Sequence, residues 1–146
     1  MDDTITQLLS KERIPKMALV AQHFSREHLK DPTQCIREQL GKTGIGGTIR
    51  PGMTVAITAG SREIDNSVLI LREIVSFVKA RGGKPFLIPA MGSHGGATAA
   101  GQEAFLGVYG ITEETVGAPI CSSMEVVQIA TLGDGRPVLI DKYAAG

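Results

Sequence analysis

The middle third of the sequence contains two short apolar runs separated by a helical repeat. Residues 53–58, MTVAIT, are apolar and rich in β-branched side chains, which predicts a buried strand, and residues 85–90, PFLIPA, have the same character. Between them, residues 66–81 carry apolar side chains at helical spacing, and Gly82-Gly83 follows as a helix stop, while Asp65 or Asn66 can cap its start. A strand–helix–strand unit of this length predicts two parallel strands with a right-handed crossover.

Further elements are predicted on both sides of this unit. Residues 17–24, MALVAQHF, are predicted to be a strand, and residues 31–40 a helix with Asp31 as its cap and Pro32 at its first position. A helix capped by Thr98 is expected at 98–108.

Three apolar runs after Ile111 predict strands. The last two are joined by Gly133-Asp134-Gly135, which is a hairpin signal. These runs are 118–121, 126–132 and 137–143. The predicted fold class is therefore α/β, with a Rossmann-like, mostly parallel sheet flanked by helices and a C-terminal β-hairpin excursion, in a single domain over residues 1–146.

Composition argues against several function classes. Lys+Arg and Asp+Glu both number 15, aromatic residues make up 4% of the chain and Trp is absent, so neither an electrostatic footprint nor stacking platforms for nucleic acid are expected. No apolar stretch approaches the roughly 20 residues of a membrane span, and the first residues do not resemble a secretion signal. Cys35 and Cys121 are far apart in sequence and form no metal-binding motif, which predicts reduced thiols in a cytoplasmic protein.

Two loops leave the carboxyl ends of the two predicted parallel strands, where open α/β sheets bind their ligands. One loop carries Arg62 and the other carries His94. If the strands are neighbours, both side chains project into one crevice. Because a guanidinium binds a carboxylate in bidentate fashion and an imidazole transfers protons near neutral pH, this pair suits chemistry on a small hydroxy or keto acid.

The glycines on both sides of His94 favour a ligand-binding loop. Gly92, Gly95 and Gly96 allow tight turns and a close backbone approach, and the amino end of the helix at Thr98 favours an anion.

Both candidate residues also have purely structural interpretations. His94 could hydrogen-bond only within its own turn. Arg62 could be a surface arginine paired with Glu63 or Asp65.

At these two loops the sequence resembles the amino-terminal domain of the lactate racemase family. That family has a strand followed by Asp-x-Thr-Arg-Pro and, later, a second strand followed by Gly-Thr-His-Arg with a Thr a few residues on. The first motif appears here as Ala59-Gly60-Ser61-Arg62-Glu63, and the second as Gly92-Ser93-His94-Gly95 with Thr98 at the later position. The segment 131–142 is similar to the family's hairpin before the domain crossover.

The resemblance implies an isomerase, a racemase or epimerase that inverts the hydroxyl-bearing carbon of a small 2-hydroxy acid with a nickel pincer nucleotide, a pyridinium mononucleotide that takes up and returns the substrate hydride. His94 would be a catalytic residue that moves the hydroxyl proton, and Arg62 a catalytic anchor for the carboxylate or the cofactor. The residues implied in cofactor binding are Ser61, Arg62, Gly92, Ser93, Gly95, Gly96 and Thr98.

The resemblance further implies that the chain is the amino-terminal lobe of a longer two-domain enzyme. The family's cofactor-bearing lysine and nickel histidine lie further along the chain, so no metal ligand is assigned here and this lobe alone is expected to be inactive. Ala59 and Glu63 replace the Asp and Pro of the family's first motif, and Gly95 replaces the arginine of the second, changes that allow a larger or differently charged acid than lactate.

Two alternative functions remain open on the sequence alone. One is a non-catalytic α/β domain that binds an organic anion or a phosphate in the same crevice. The other is a nucleotide-dependent oxidoreductase, against which the missing dinucleotide fingerprint counts.

Overall fold

The computed structural model describes residues 6–7, 9–10, 16–42, 44–62 and 64–145. Short 3₁₀ turns occur at Gly44–Gly47 and Gly95–Ala97. The helices and strands include, in chain order, α1 (Pro32–Lys42), β1 (Thr54–Ala59), α2 (Ser67–Lys79), β2 (Lys84–Pro89), α3 (Ala99–Val108), α4 (Glu113–Val116), β3 (Val126–Thr131) and β4 (Pro137–Asp141).

The chain has a mixed α/β fold with a small parallel sheet, as the strand–helix–strand pattern predicts. β1 pairs with β2 in parallel, from Thr54 opposite Lys84 to Ala59 opposite Pro89. The predicted strand at 118–121 contributes one parallel bridge, between Ile120 and Leu87. Among the described residues the parallel sheet is therefore two strands and a bridge wide, and the helices flank it.

One face of this sheet holds the hydrophobic core. Ile57 and Leu87 lie opposite each other in the register and point to the same side, because strand side chains alternate between faces. Val75 of α2, Leu106 of α3 and Val116 of α4 pack against them, and each is at most 2% exposed. The three helices thus form one cluster with the sheet.

The strand predicted at 17–24 is wrong. Residues 16–30 have no regular helix or strand, and their side chains are exposed, including Leu19 and Phe24. The physical reason is that β-propensity reflects packing against neighbouring strands, and no described residue pairs with this segment.

The helix predicted at 31–40 is confirmed as α1. Its cap is also confirmed, because the Gln34 amide donates a 2.9 Å hydrogen bond to Asp31 Oδ1. α1 joins α2 through a bidentate ion pair in which Arg37 Nε and Nη2 lie 2.6 and 3.0 Å from the carboxylate oxygens of Glu73. The side-chain cap predicted for α2 is absent, since Asn66 adopts a left-handed conformation with φ 61° and makes no such bond.

The hairpin at the end of the chain is confirmed. β3 and β4 pair antiparallel, with a bulge between Gln128 and Ala130. Its turn is closed by the Leu132 amide, which donates to the Arg136 carbonyl at 2.8 Å. Every residue of β3 is exposed, so the hairpin lies outside the core.

Both cysteines, Cys35 and Cys121, are free and half-buried. No described helix combines the length and the apolarity needed to cross a bilayer.

Candidate functional site

The parallel pairing of β1 and β2 brings the two candidate loops side by side. The last pair in the register is Ala59 and Pro89, and the ladder extends one step further, because the Ala90 amide donates a 2.8 Å hydrogen bond to the Ala59 carbonyl. The loops that carry Arg62 and His94 therefore leave the same edge of the sheet from adjacent positions.

Arg62 and His94 line one open cleft of about 400 Å³ at this edge. The remaining lining residues are Gly60, Ser61, Ile64, Ala90 and Met91. No carboxylate occurs among them, so Arg62 is the charged side chain of the cleft. The strand order thus brings together the two side chains that the sequence singles out.

The guanidinium of Arg62 is available to a ligand. Arg62 is exposed, and its side chain makes no hydrogen bond or ion pair with any residue that the structure describes, Asp65 included. The alternative partner Glu63 lies outside the described residues. An exposed arginine between two apolar walls is suited to hold a carboxylate in bidentate fashion.

The imidazole of His94 is positioned by an aromatic contact rather than by its own turn. Its ring lies against Phe105 of α3, with ring centroids 5.7 Å apart, and Phe105 in turn contacts Tyr109 at 5.4 Å. Both ring nitrogens are without a hydrogen-bond partner among the described residues. They are therefore available to accept or donate a proton in the cleft.

The backbone around His94 is fixed to the start of α3. The side-chain amide of Gln102, which is 4% exposed, donates a 2.8 Å hydrogen bond to the Gly92 carbonyl. Gly95, with φ +62°, lies directly on Gly101, and a Cβ on either glycine would overlap the backbone of the other. This close approach requires glycine at both positions, which explains structurally why the residue after the histidine is Gly95.

Thr98 has a structural role in this arrangement. It is the N-cap of α3: its hydroxyl accepts a 3.1 Å hydrogen bond from the Gly101 amide and donates one of 3.1 Å to the Gly95 carbonyl. The predicted cap is therefore confirmed, and the same residue ties the turn after His94 to the helix.

The predicted cofactor-binding residues fall into two groups: some line the cleft and the others do not. Ser61 is 9% exposed and lines the cleft together with Arg62. Gly92 borders a neighbouring cavity of about 300 Å³ that also includes Gln102 and Asp141. The residues that do not line the cleft are Gly92, Ser93, Gly95, Gly96 and Thr98.

A second, apolar crevice of about 180 Å³ adjoins the cleft. It extends between the end of β1, α2 and the residues that follow α3, and the two cavities share Gly60, Arg62 and Ile64. Its walls are largely hydrocarbon, from Ile70, Leu71, Ile74, Tyr109 and Ile111. Arg62 therefore lies at the junction of the cleft and the apolar crevice.

The residues of the cleft do not fit the attachment of a nickel pincer nucleotide. Within the described part of the chain, no lysine lines the cleft and no group of three or more His, Cys, Asp or Glu side chains could hold a metal ion. What the cleft offers is a guanidinium and an imidazole.

Comparison of the chain with protein-family models, with curated proteins and with solved structures found no match.

Proposed function

We propose that this chain is the acid-binding lobe of an isomerase similar to lactate racemase, and that it holds a 2-hydroxy acid with Arg62 and His94. The observation that carries the proposal is the shared cleft, in which a guanidinium and an imidazole, both without a hydrogen-bond partner among the described residues, lie at adjacent strand ends. The resemblance of both loops to the family's motifs supports the same assignment.

Arg62 binds the substrate carboxylate in this proposal. Two parallel N–H donors match the two carboxylate oxygens and fix the orientation of the acid. Among the residues that the structure describes, no carboxylate lines the cleft, so a substrate anion meets no like charge from these side chains.

His94 exchanges the proton of the C2 hydroxyl. The imidazole accepts a hydrogen bond from this hydroxyl, takes up its proton as a general base and returns the same proton from the imidazolium as a general acid. The contact with Phe105 holds the ring in place, so that the accepting nitrogen does not have to be ordered at each turnover.

Inversion at C2 also requires an acceptor for the hydride. In the resembled family this acceptor is the nickel pincer nucleotide. Since the cleft lacks attachment residues, the proposal for this chain is limited to acid binding and proton transfer.

Calorimetric titration of the chain with the two enantiomers of lactate tests this function. We expect saturable binding of both enantiomers, a loss of at least about tenfold in affinity for Arg62→Ala, and a partial recovery for Arg62→Lys. Arg136→Ala is the matched control, because Arg136 pairs with Asp134 on the distant hairpin and its removal should leave the affinity unchanged.

The same titration separates the alternative of a non-catalytic anion site. Such a site predicts that inorganic phosphate binds as tightly as a 2-hydroxy acid and that His94→Ala has no effect. The proposed function predicts a preference for the acid with a free C2 hydroxyl over its 2-methoxy derivative, and loss of this preference in His94→Ala. Absence of Arg62-dependent binding of any 2-hydroxy acid would refute the proposal.

A further inference from the structure

The apolar crevice beside Arg62 contains more space than the substrate of a lactate racemase requires. Its volume is about 180 Å³, whereas an apolar protein cavity of roughly 150 Å³ is large enough for a benzene ring. Lactate carries a single methyl group on C2, which would leave most of the crevice filled with water or empty.

Because Arg62 lines both cavities, one ligand bound to it can occupy the cleft with one part and the crevice with another. Arg62 and Ile64 line both the cleft and the crevice, whereas His94 lines only the cleft. When Arg62 holds the carboxylate of an acid, the C2 hydroxyl can therefore face His94 in the cleft. The side chain on C2 then extends in the other direction, into the crevice.

The walls of the crevice determine the chemistry of that substituent. Ile70 and Ile74 project from α2, and Tyr109 and Ile111 follow α3. Among the described residues, no charged side chain other than that of Arg62 lines the crevice. A charged tail would lose its hydration there without gaining a partner, whereas a hydrocarbon tail gains from leaving water.

We propose that the substrate class of this site is a 2-hydroxy acid with a branched aliphatic or phenyl side chain of about four to seven carbons, whose tail occupies the crevice lined by Ile64, Ile70, Ile74 and Tyr109. This specificity rests on the proposed function, because it takes the carboxylate position from Arg62. In such an acid, a side chain that fills the crevice takes the place of the methyl group of lactate.

A series of three acids on the unmodified chain tests the specificity by calorimetry. The probes are lactate, 2-hydroxy-4-methylpentanoate and malate, which carry a methyl, an isobutyl and a charged tail. Each fully buried methylene is worth about a fourfold gain in affinity, and the isobutyl group has three more carbons than the methyl group, so this acid should bind about 10- to 60-fold more tightly than lactate, depending on how completely the tail is buried. Malate should bind no more tightly than lactate.

Two variants connect the preference to the crevice. Ile70→Phe narrows the crevice and should weaken the preference for the isobutyl acid, measured as the ratio of the dissociation constant of lactate to that of the isobutyl acid, at least fivefold. Ile129→Phe adds the same side chain at an exposed position of β3 and should leave that ratio unchanged. If Ile70→Phe does not fold, the acid series on the unmodified chain still decides the question.

The outcomes distinguish this inference from the function on which it rests. Equal affinity for lactate and the isobutyl acid, with both lost in Arg62→Ala, would overturn the specificity alone. Tighter binding of malate than of the isobutyl acid would overturn it too. If no acid binds in an Arg62-dependent way, the proposed function fails together with the specificity.

Discussion

Residues 54–121 and the two segments that flank them differ in what stabilises them. The sheet unit buries Leu87, Leu106 and Val116 completely, and one cluster of side chains connects both strands and all three of its helices. By contrast, residues 16–30 and the β3–β4 hairpin expose their large apolar side chains, Leu19 and Ile129 among them. An isolated two-stranded hairpin is only marginally stable in water, so the free energy of folding resides mainly in the sheet unit.

This difference explains why the candidate site lies where it does. The loops of Arg62 and His94 emerge from the two strands with the deepest core contacts, and the His94 loop is also fastened to α3. A site on such a support is preorganised, and little conformational entropy is lost when a ligand binds.

The largest expected effect comes from the core. Leu87→Ala removes a completely buried side chain at the centre of the sheet and should lower the free energy of unfolding by about 2–5 kcal/mol. Leu139→Ala, on the half-exposed hairpin, should lower it by less than about 1 kcal/mol. Urea denaturation measures both, and equal losses would contradict the division into a stable unit and weakly held flanks.

The second effect concerns the contact between the His94 loop and α3. Gly101→Ala places a Cβ against the backbone of Gly95 and should destabilise the protein by about 1–3 kcal/mol. Gly107→Ala is the matched control in the same helix: a Cβ there meets nothing within 4 Å, and the substitution should stabilise by up to about 1 kcal/mol. Thermal melts read both changes, and opposite signs are the expected outcome.

The smallest effect concerns α1, which connects the sheet unit to the exposed segment. The guanidinium of Arg37 holds the pKa of Glu73 below its usual range. The pair therefore stabilises the fold above the ordinary pKa of a glutamate, and this contribution is lost as the pH falls through the lower pKa of the folded state. Glu73→Gln should cost about 1 kcal/mol at pH 7, with a smaller difference from the unmodified protein at pH 3.

Glu103→Gln serves as the control for this prediction. Glu103 is exposed on α3 and forms no ion pair within the described residues, so its substitution should change stability by less than about 0.5 kcal/mol. A difference between the unmodified protein and Glu73→Gln that grows toward low pH would contradict the assigned direction of the pKa.

The sequence predicts the elements whose periodicity is local. β1, β2 and α2 follow from apolar spacing, and the hairpin follows from Gly133-Asp134-Gly135. The strand predicted at 17–24 fails because the same residue types need a partner strand. α4 was missed, although Thr112 forms a capping box at its start and Gly117 ends it in a left-handed conformation, which together are a readable signal.

The candidate site, too, could be predicted from the sequence only in part. Strand order alone brings Arg62 and His94 to one edge of the sheet. The supporting contacts are tertiary, because the Gln102 side chain donates a hydrogen bond to the Gly92 carbonyl and Gly101 packs against Gly95. No sequence motif predicts either pair. The apolar crevice escaped prediction because three separate segments of the chain form its walls.

The shared cleft is tested most directly by NMR of the three histidine rings during titration with 2-hydroxy-4-methylpentanoate. His23 and His28, in the exposed segment, are internal controls. We expect the ring signals of His94 alone to shift, saturably, and this shift to disappear in Arg62→Ala. Unchanged His94 signals while the acid binds, or an equal shift in Arg62→Ala, would contradict the account that guanidinium and imidazole serve one ligand.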